Sequence, residues 1–214
     1  NLYATAGHRE VWLADRATEI DPAARGSDYN SDALDFGVTA NGKTTGELIW
    51  SVEARAGRRW YGSGMESNTQ KLAFGLAHAL PKNRSLSFDL AAEAVQYPAR
   101  PVADSVKLSA EAQVWQPVGR GAVALSLGYT DVGSDAAGVA WRGPSAGVEW
   151  RPPTLPHGIV MSVFGTVQVK DYWKTTMKPD LGIDLGASAK FSEWSMMGFA
   201  PTASLTASRN FSDL

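Results

Sequence analysis

Residues 46–57 read GELIWSVEARAG. Leu48, Trp50, Val52, Ala54 and Ala56 share one parity, and Glu47, Ser51, Glu53 and Arg55 share the other, with Ile49 the single interruption. A β-strand sends successive side chains to opposite faces, so the stretch predicts one apolar and one charged face sustained over about eleven residues. Globular strands usually run about five or six residues, whereas a tilted strand crossing a bilayer needs about nine to eleven. Asn41-Gly42 lies just before it, a pair that supplies the positive φ angles of a tight hairpin turn, and Arg58, Arg59, Trp60 and Tyr61 lie just after, an aromatic cluster suited to a membrane interface.

Outward from this stretch the two-residue period recurs. Residues 1–13 are a weakly patterned strand and 14–32 a polar loop; ALDFGVTA at 33–40 then alternates cleanly before NGKTT turns the chain. KLAFGLAHAL at 71–80 and SLSFDLAAEAVQY at 85–97 repeat the pattern around the turn PKNR, with a loop at 58–67 before them. DSVKLSAEAQVW at 104–115 and AVALSLGYT at 122–130 flank PVGRG, and SAGVEWR at 145–151 and IVMSVFGTVQVK at 159–170 flank PPTLPHG, with Phe164 on the polar side. LGIDLGASAKF at 181–191 and PTASLTASRNFSDL at 201–214 complete the series. The tight connections alternate with longer polar ones at 14–32, 58–67, 132–137 and 171–179. Short turns at one end and longer loops at the other characterise an up-and-down outer-membrane barrel. The expected fold class is therefore all-β, a transmembrane antiparallel up-and-down β-barrel with about eleven strands in 1–214 and at least one more needed for closure.

The 214 residues and the 44% apolar share suit one folded domain. A net charge of -2 and a pI near 5.9 give no general attraction to nucleic acid or to an anionic membrane surface. There are no cysteines, hence no disulfides and no cysteine-ligated zinc. No run of about eighteen apolar residues marks a transmembrane helix, and NLYATAGHREVW lacks the basic start and apolar middle of a signal peptide. The chain is therefore expected to begin after processing or inside a larger protein. Eight tryptophans are generous for a soluble domain, and Trp60, Trp115, Trp150, Trp173 and Trp194 sit by strand ends, where barrel girdles place them; a soluble core filled by indoles is the competing explanation.

Alternation alone does not say which face is inside, because a soluble lipocalin-like barrel shows the same parity. The polar face decides in favour of a lumen. It mixes Asp35, Glu47, Glu53, Arg55, Asp89, Glu93, Lys107, Glu111, Asp184 and Lys190 with many Gly, Ala and Ser, a composition in which acids and bases pair across strands of a wet or plugged interior. An odd strand number also leaves unpaired edges that lipid does not tolerate.

No catalytic constellation accompanies this pattern. His8, His78 and His157 lie far apart without metal-ligand spacing, and no serine in DYNSD or GSD has a histidine placed to activate it. Glu47 with Glu53, or Glu93 with Glu111, resemble paired glycosidase carboxylates only if they face across a cleft; lumen charge is the simpler reading. The Arg55, Arg58, Arg59 cluster reads as a solvated rim rather than a nucleic-acid site. The expectation is a non-enzyme with no metal, no cofactor and no nucleic-acid partner.

At the C-terminal end the stretch FSEWSMMGFAPTASLTASRNFSDL carries Gly198, Phe199 and Pro201 ahead of a penultimate strand and Arg209, Asn210 and Ser212 after it. With Asp180 opening the preceding strand, these residues resemble the end of the barrel domain of surface lipoprotein assembly modifiers, the Slam family. The specific match covers roughly the last thirty-five residues; the earlier hairpins fit in spacing and texture only. The resemblance implies an outer-membrane barrel that helps a lipoprotein or secreted protein reach the cell surface, preceded in the family by a periplasmic tetratricopeptide-repeat domain and ended by one more short strand. Neither has a counterpart in 1–214, so the chain is expected to be a C-terminal fragment or an incompletely covered barrel. The implied partners are the outer-membrane bilayer, the cargo, or a larger membrane assembly. A porin-like diffusion channel and a structural barrel held in such an assembly are the rival readings.

Overall fold

The structure, a computed structural model, describes residues 2–9, 30–44, 48–62, 64–175, 178–194 and 201–211. Most of the predicted 14–32 loop, together with Glu47, Gly198, Phe199 and Ser212, lies outside the described residues.

The alternating stretches become strands: β1 (Leu2–Arg9), β2 (Ser31–Lys43), β3 (Leu48–Tyr61), β4 (Glu66–Leu80), β5 (Arg84–Gln96), β6 (Ser105–Val118), β7 (Gly121–Ser134), β8 (Trp141–Arg151), β9 (Ile159–Lys170), β10 (Asp180–Phe191) and β11 (Thr202–Phe211). Each pairs antiparallel with its sequence neighbour, giving one 11-stranded sheet in the order β1 to β11. The sheet curls into a half-barrel. Among the described residues β1 and β11 do not pair with each other.

The curl separates the two parities. Along β4 the apolar Leu72 and Phe74 are exposed at 59% and 39%, whereas Lys71 and Ala73, which alternate with them, are partly covered and Gly75 is buried. The polar parity is therefore concave and the apolar parity convex, an inversion of the usual globular arrangement. Only Ala103, Ala124, Val132 and Ala140 are buried apolar residues among those described. Backbone ladders between long neighbouring strands, rather than a packed apolar interior, hold the sheet.

Several strand ends differ from the sequence expectation. Asn41 and Gly42 do not form the hairpin turn: they lie in β2, opposite Ser51 and Trp50, and neither has positive φ. Gly42 instead makes room for an aromatic neighbour, since a Cβ there would stand 2.7 Å from the Trp50 ring. Beyond β2 the Thr44 N–H donates to the Leu48 carbonyl at 2.9 Å, and the strand quoted first is described from Leu48 onward. Its other end runs on to Tyr61, because Arg58 is held from β4 by a hydrogen bond to Asn68 Oδ1 (3.0 Å) and an ion pair with Glu66 (3.7 Å). The predicted loop 58–67 consequently shrinks to 62–65, and the contrast between short-turn and long-loop ends is only partial.

Turn chemistry sits where the tight connections are. Lys82 and Asn83 take positive φ (64° and 56°) in the connection after β4. Gly119 does so (59°) in the two-residue hairpin closing Val118 on Gly121, as a type II′ turn requires of its first central residue. At the opposite end, Pro101–Ala103 form a short 3₁₀ turn whose Val102 carbonyl accepts from Ala136 N–H (2.9 Å), and Lys174 Nζ donates to the Ser134 carbonyl (2.5 Å). Three connections are thereby tied to one another.

Candidate functional site

Among the described residues the concave face gathers charged side chains along the middle of the strands. The register converts parity into rows across the strands. One row runs Gly37, Arg55, Lys71, Glu93, Lys107; four residues along, beyond the row of Glu53, Ala73, Ala91 and Ser109, another runs Ser51, Gly75, Asp89, Glu111, Gly128, Ser145. Bases dominate the first row and acids the second. Four residues of strand span about 13 Å, so the basic and acidic rows stand about that far apart along the strand direction.

Of the candidate lumen residues, Glu53, Arg55, Asp89, Glu93, Lys107, Glu111, Asp184 and Lys190 all have the concave parity in the registered strands. Glu53 and Arg55 are brought into ion pairs: Lys71 Nζ lies 3.1 Å from Glu53 Oε2 and Arg55 Nε 3.8 Å from Asp35 Oδ1. Asp89 and Glu111 are direct cross-strand neighbours. Asp184 stands apart on β10 opposite Thr166 and Ser208, and Lys190, near the strand end, opposite Val160 and Thr202. The carboxylate pair Glu93 and Glu111 does not form a facing couple, since Glu93 is registered with Lys107.

A cavity of about 540 Å³ occupies the concave floor, with lining residues from eight strands, Thr39 on β2 through Gln168 on β9. Its charged walls are Glu53, Lys71, Asp89, Lys107 and Glu111. Glycines shape the floor. A Cβ on Gly75 would meet Ser51 Oγ at 2.6 Å and Asp89 Oδ1 at 2.7 Å, and one on Gly128 would meet Ser145 Oγ at 2.7 Å, so hydroxyl and carboxylate oxygens lean over bare backbone. Beside it, a smaller cavity of about 120 Å³ is lined by Arg55, Arg59, Tyr61, Glu93 and Tyr97 among others. The Tyr97 phenol is pushed up to about 12, by burial first and then by the adjacent Tyr61.

Sequence reading missed the group at the other end of the concave face. Arg151 Cζ stacks 4.1 Å from the centre of the Trp115 ring, its Nε is 2.9 Å from Glu149 Oε1, and Trp115 Nε1 donates to Gln113 Oε1 at 2.6 Å. These residues share the concave parity of β6 and β8, a relation visible in sequence only once both strands are aligned through β7. Phe164, on the polar parity as expected, lies across Gly186 of β10.

The Slam-like residues that are described lie around β11. Pro201 accepts the Phe191 N–H at 2.9 Å, Asn210 Oδ1 borders Gly182, and Arg209 Cζ sits 4.7 Å from the Phe211 ring centre. His78 stands on β4, His8 on β1 and His157 in the connection after β8. No group of three or more His, Cys, Asp or Glu able to hold a metal occurs among the described residues. Among the described residues no helix is long and apolar enough to cross a membrane. No protein-family model, no curated protein and no solved structure matches the chain.

Proposed function

We propose that this chain is an outer-membrane β-barrel that aids translocation or surface display of a lipoprotein or secreted protein. One observation carries the membrane part: the large apolar side chains stand exposed on the convex face, among them Phe36, Leu72, Leu108, Leu127 and Leu185 at 55–70%, over strands of 10–15 residues from β2 to β11. A soluble protein rarely leaves so continuous an apolar surface uncovered, whereas lipid covers it at no cost. On the long-connection side the band gives way on the same face to Arg58, Asp131, Arg142 and Asp171, with Arg142 Nε 3.9 Å from Asp171 Oδ2, as a headgroup boundary asks. The transport part rests on the C-terminal resemblance and on a polar concave face broad enough to form the wall of a passage.

The test is surface display of candidate lipoproteins with and without the gene, in an outer-membrane-bearing host where insertion of the barrel is verified by protease protection. Gene-dependent display supports the reading. Display unchanged by deletion, together with ion conductance in a planar bilayer, supports the porin-like alternative, which the cavity charges favour; absence of both leaves a structural barrel.

A further inference from the structure

We propose that the concave cavity binds short zwitterionic peptides, amino end toward Asp89 and Glu111 and carboxylate end toward Lys107. The inference deepens the passage reading above and rests on the concave face being a lumen.

Charge is the first argument. Of the five charged residues in the cavity wall, Lys71 and Glu53 already satisfy each other at 3.1 Å. Asp89, Glu111 and Lys107 make no hydrogen bond or ion pair among the described residues. Glu93, registered beside Lys107, makes no ion pair with it: Glu93 lines the smaller cavity with Arg55 and Arg59, while Lys107 lines the larger one. Two like charges directly opposite in a ladder repel, and a cation between them removes the penalty. Lys107, without an ion pair, and the Asp89–Glu111 couple, of which Asp89 alone feels the Lys71 charge, thus face one polar space.

Spacing is the second. Lys107 and Glu111 share a strand and a face four residues apart, which is about 13 Å at 3.3 Å per residue. An extended tripeptide places its terminal charges about 10 Å apart, which leaves about 3 Å, the length of one hydrogen bond. A free amino acid is too short to reach both. Between the two ends lies Ser109, and level with Asp89 and Glu111, over the bare backbone of Gly75 and Gly128, stand the hydroxyls of Ser51 and Ser145; these suit peptide N–H and C=O groups. A singly charged solute satisfies only one end.

The experiment titrates the purified chain in detergent micelles calorimetrically with triglycine, N-acetyl-triglycine and triglycine amide. Triglycine should bind at least ten-fold more tightly than either blocked peptide. Lys107→Met should erase the advantage over triglycine amide, and Glu111→Gln with Asp89→Asn the advantage over N-acetyl-triglycine. The exchange Lys107→Glu with Glu111→Lys should restore a preference for the zwitterion. Equal affinity for all three peptides in the folded chain overturns the proposal, as does a preference that survives both neutralisations. Insertion into vesicles, scored separately by protease protection, keeps the two readings apart: insertion without triglycine preference removes the ligand and leaves the barrel, whereas preference without insertion removes the membrane reading and leaves the site.

Discussion

Gly143 of β8 lies against the backbone carbonyl of Val169 on β9, so close that a Cβ would overlap the oxygen. The contact falls where the β8–β9 ladder is interrupted: continuous pairing begins at Ser145 opposite Gln168 and resumes only at the isolated bridge of Arg142 with Asp171. Pro144 stands in the gap, without an N–H to donate. Gly143→Ala must therefore move one strand from the other and should cost about 2–3 kcal/mol by overpacking. A Cβ on Gly186 would meet the movable Phe164 ring and, less closely than at Gly143, the Leu205 carbonyl at 2.9 Å, so Gly186→Ala should cost less. Unfolding in urea checks the order; equal costs would show that the close approach is absent in solution.

The inverted faces make a second prediction. Leu90 and Leu108 are convex and exposed at 43% and 55%, while Ser87 and Ser109 are concave on the same two strands. Leu90→Arg or Leu108→Arg should cost about 2–4 kcal/mol when the barrel is folded into lipid vesicles, because the guanidinium enters hydrocarbon. Ser87→Arg and Ser109→Arg should cost less. Equal costs, or the reverse order, would sink the membrane assignment.

The ion pairs should not be equivalent. Lys71 and Glu53 are 3.1 Å apart with side chains 27% and 26% exposed, whereas Arg142 and Asp171 are 3.9 Å apart and about half exposed. Double-mutant cycles with Lys71→Met and Glu53→Gln should give a coupling near 1 kcal/mol, and those with Arg142→Met and Asp171→Asn a few tenths at most. Raising salt should erase the second coupling first. A larger coupling at Arg142–Asp171 would contradict the exposures.

Period-two alternation made the strands and their facing legible, since parity is a local property of the chain. Lys107 and Glu111 could be assigned one face from sequence alone. That Asp89 stands opposite Glu111, or that Arg151 reaches Trp115 two strands away, depends on registers that the connections set, and no local pattern encodes them. Strand ends were misjudged for a related reason. Arg58 and Arg59 read as loop because they are charged, yet Arg58 is fixed by partners on β4. Asn41-Gly42 read as a turn because the pair so often is one, yet Gly42 serves the Trp50 ring.

Two tyrosines outside the strands make the pH prediction. Burial pushes Tyr172 up to about 12, helped by its hydroxyl donating to Asp180 Oδ2 at 3.0 Å beside that negative charge. Tyr97 reaches about 12 through burial and the neighbouring Tyr61, with Arg59 opposing. A tyrosine in an unfolded chain titrates near 10. The folded state thus holds these two protons more tightly, and the stability they contribute is fully present below pH 10 and lost as pH rises from about 10 through 12. In tyrosinate absorbance, Tyr97 and Tyr172 should titrate late in the folded chain and near 10 in denaturant. Asp180→Asn should bring Tyr172 down toward 10 while leaving Tyr97 late. If the late fraction is unchanged in Asp180→Asn, the hydrogen bond and the carboxylate charge are not what holds the Tyr172 proton.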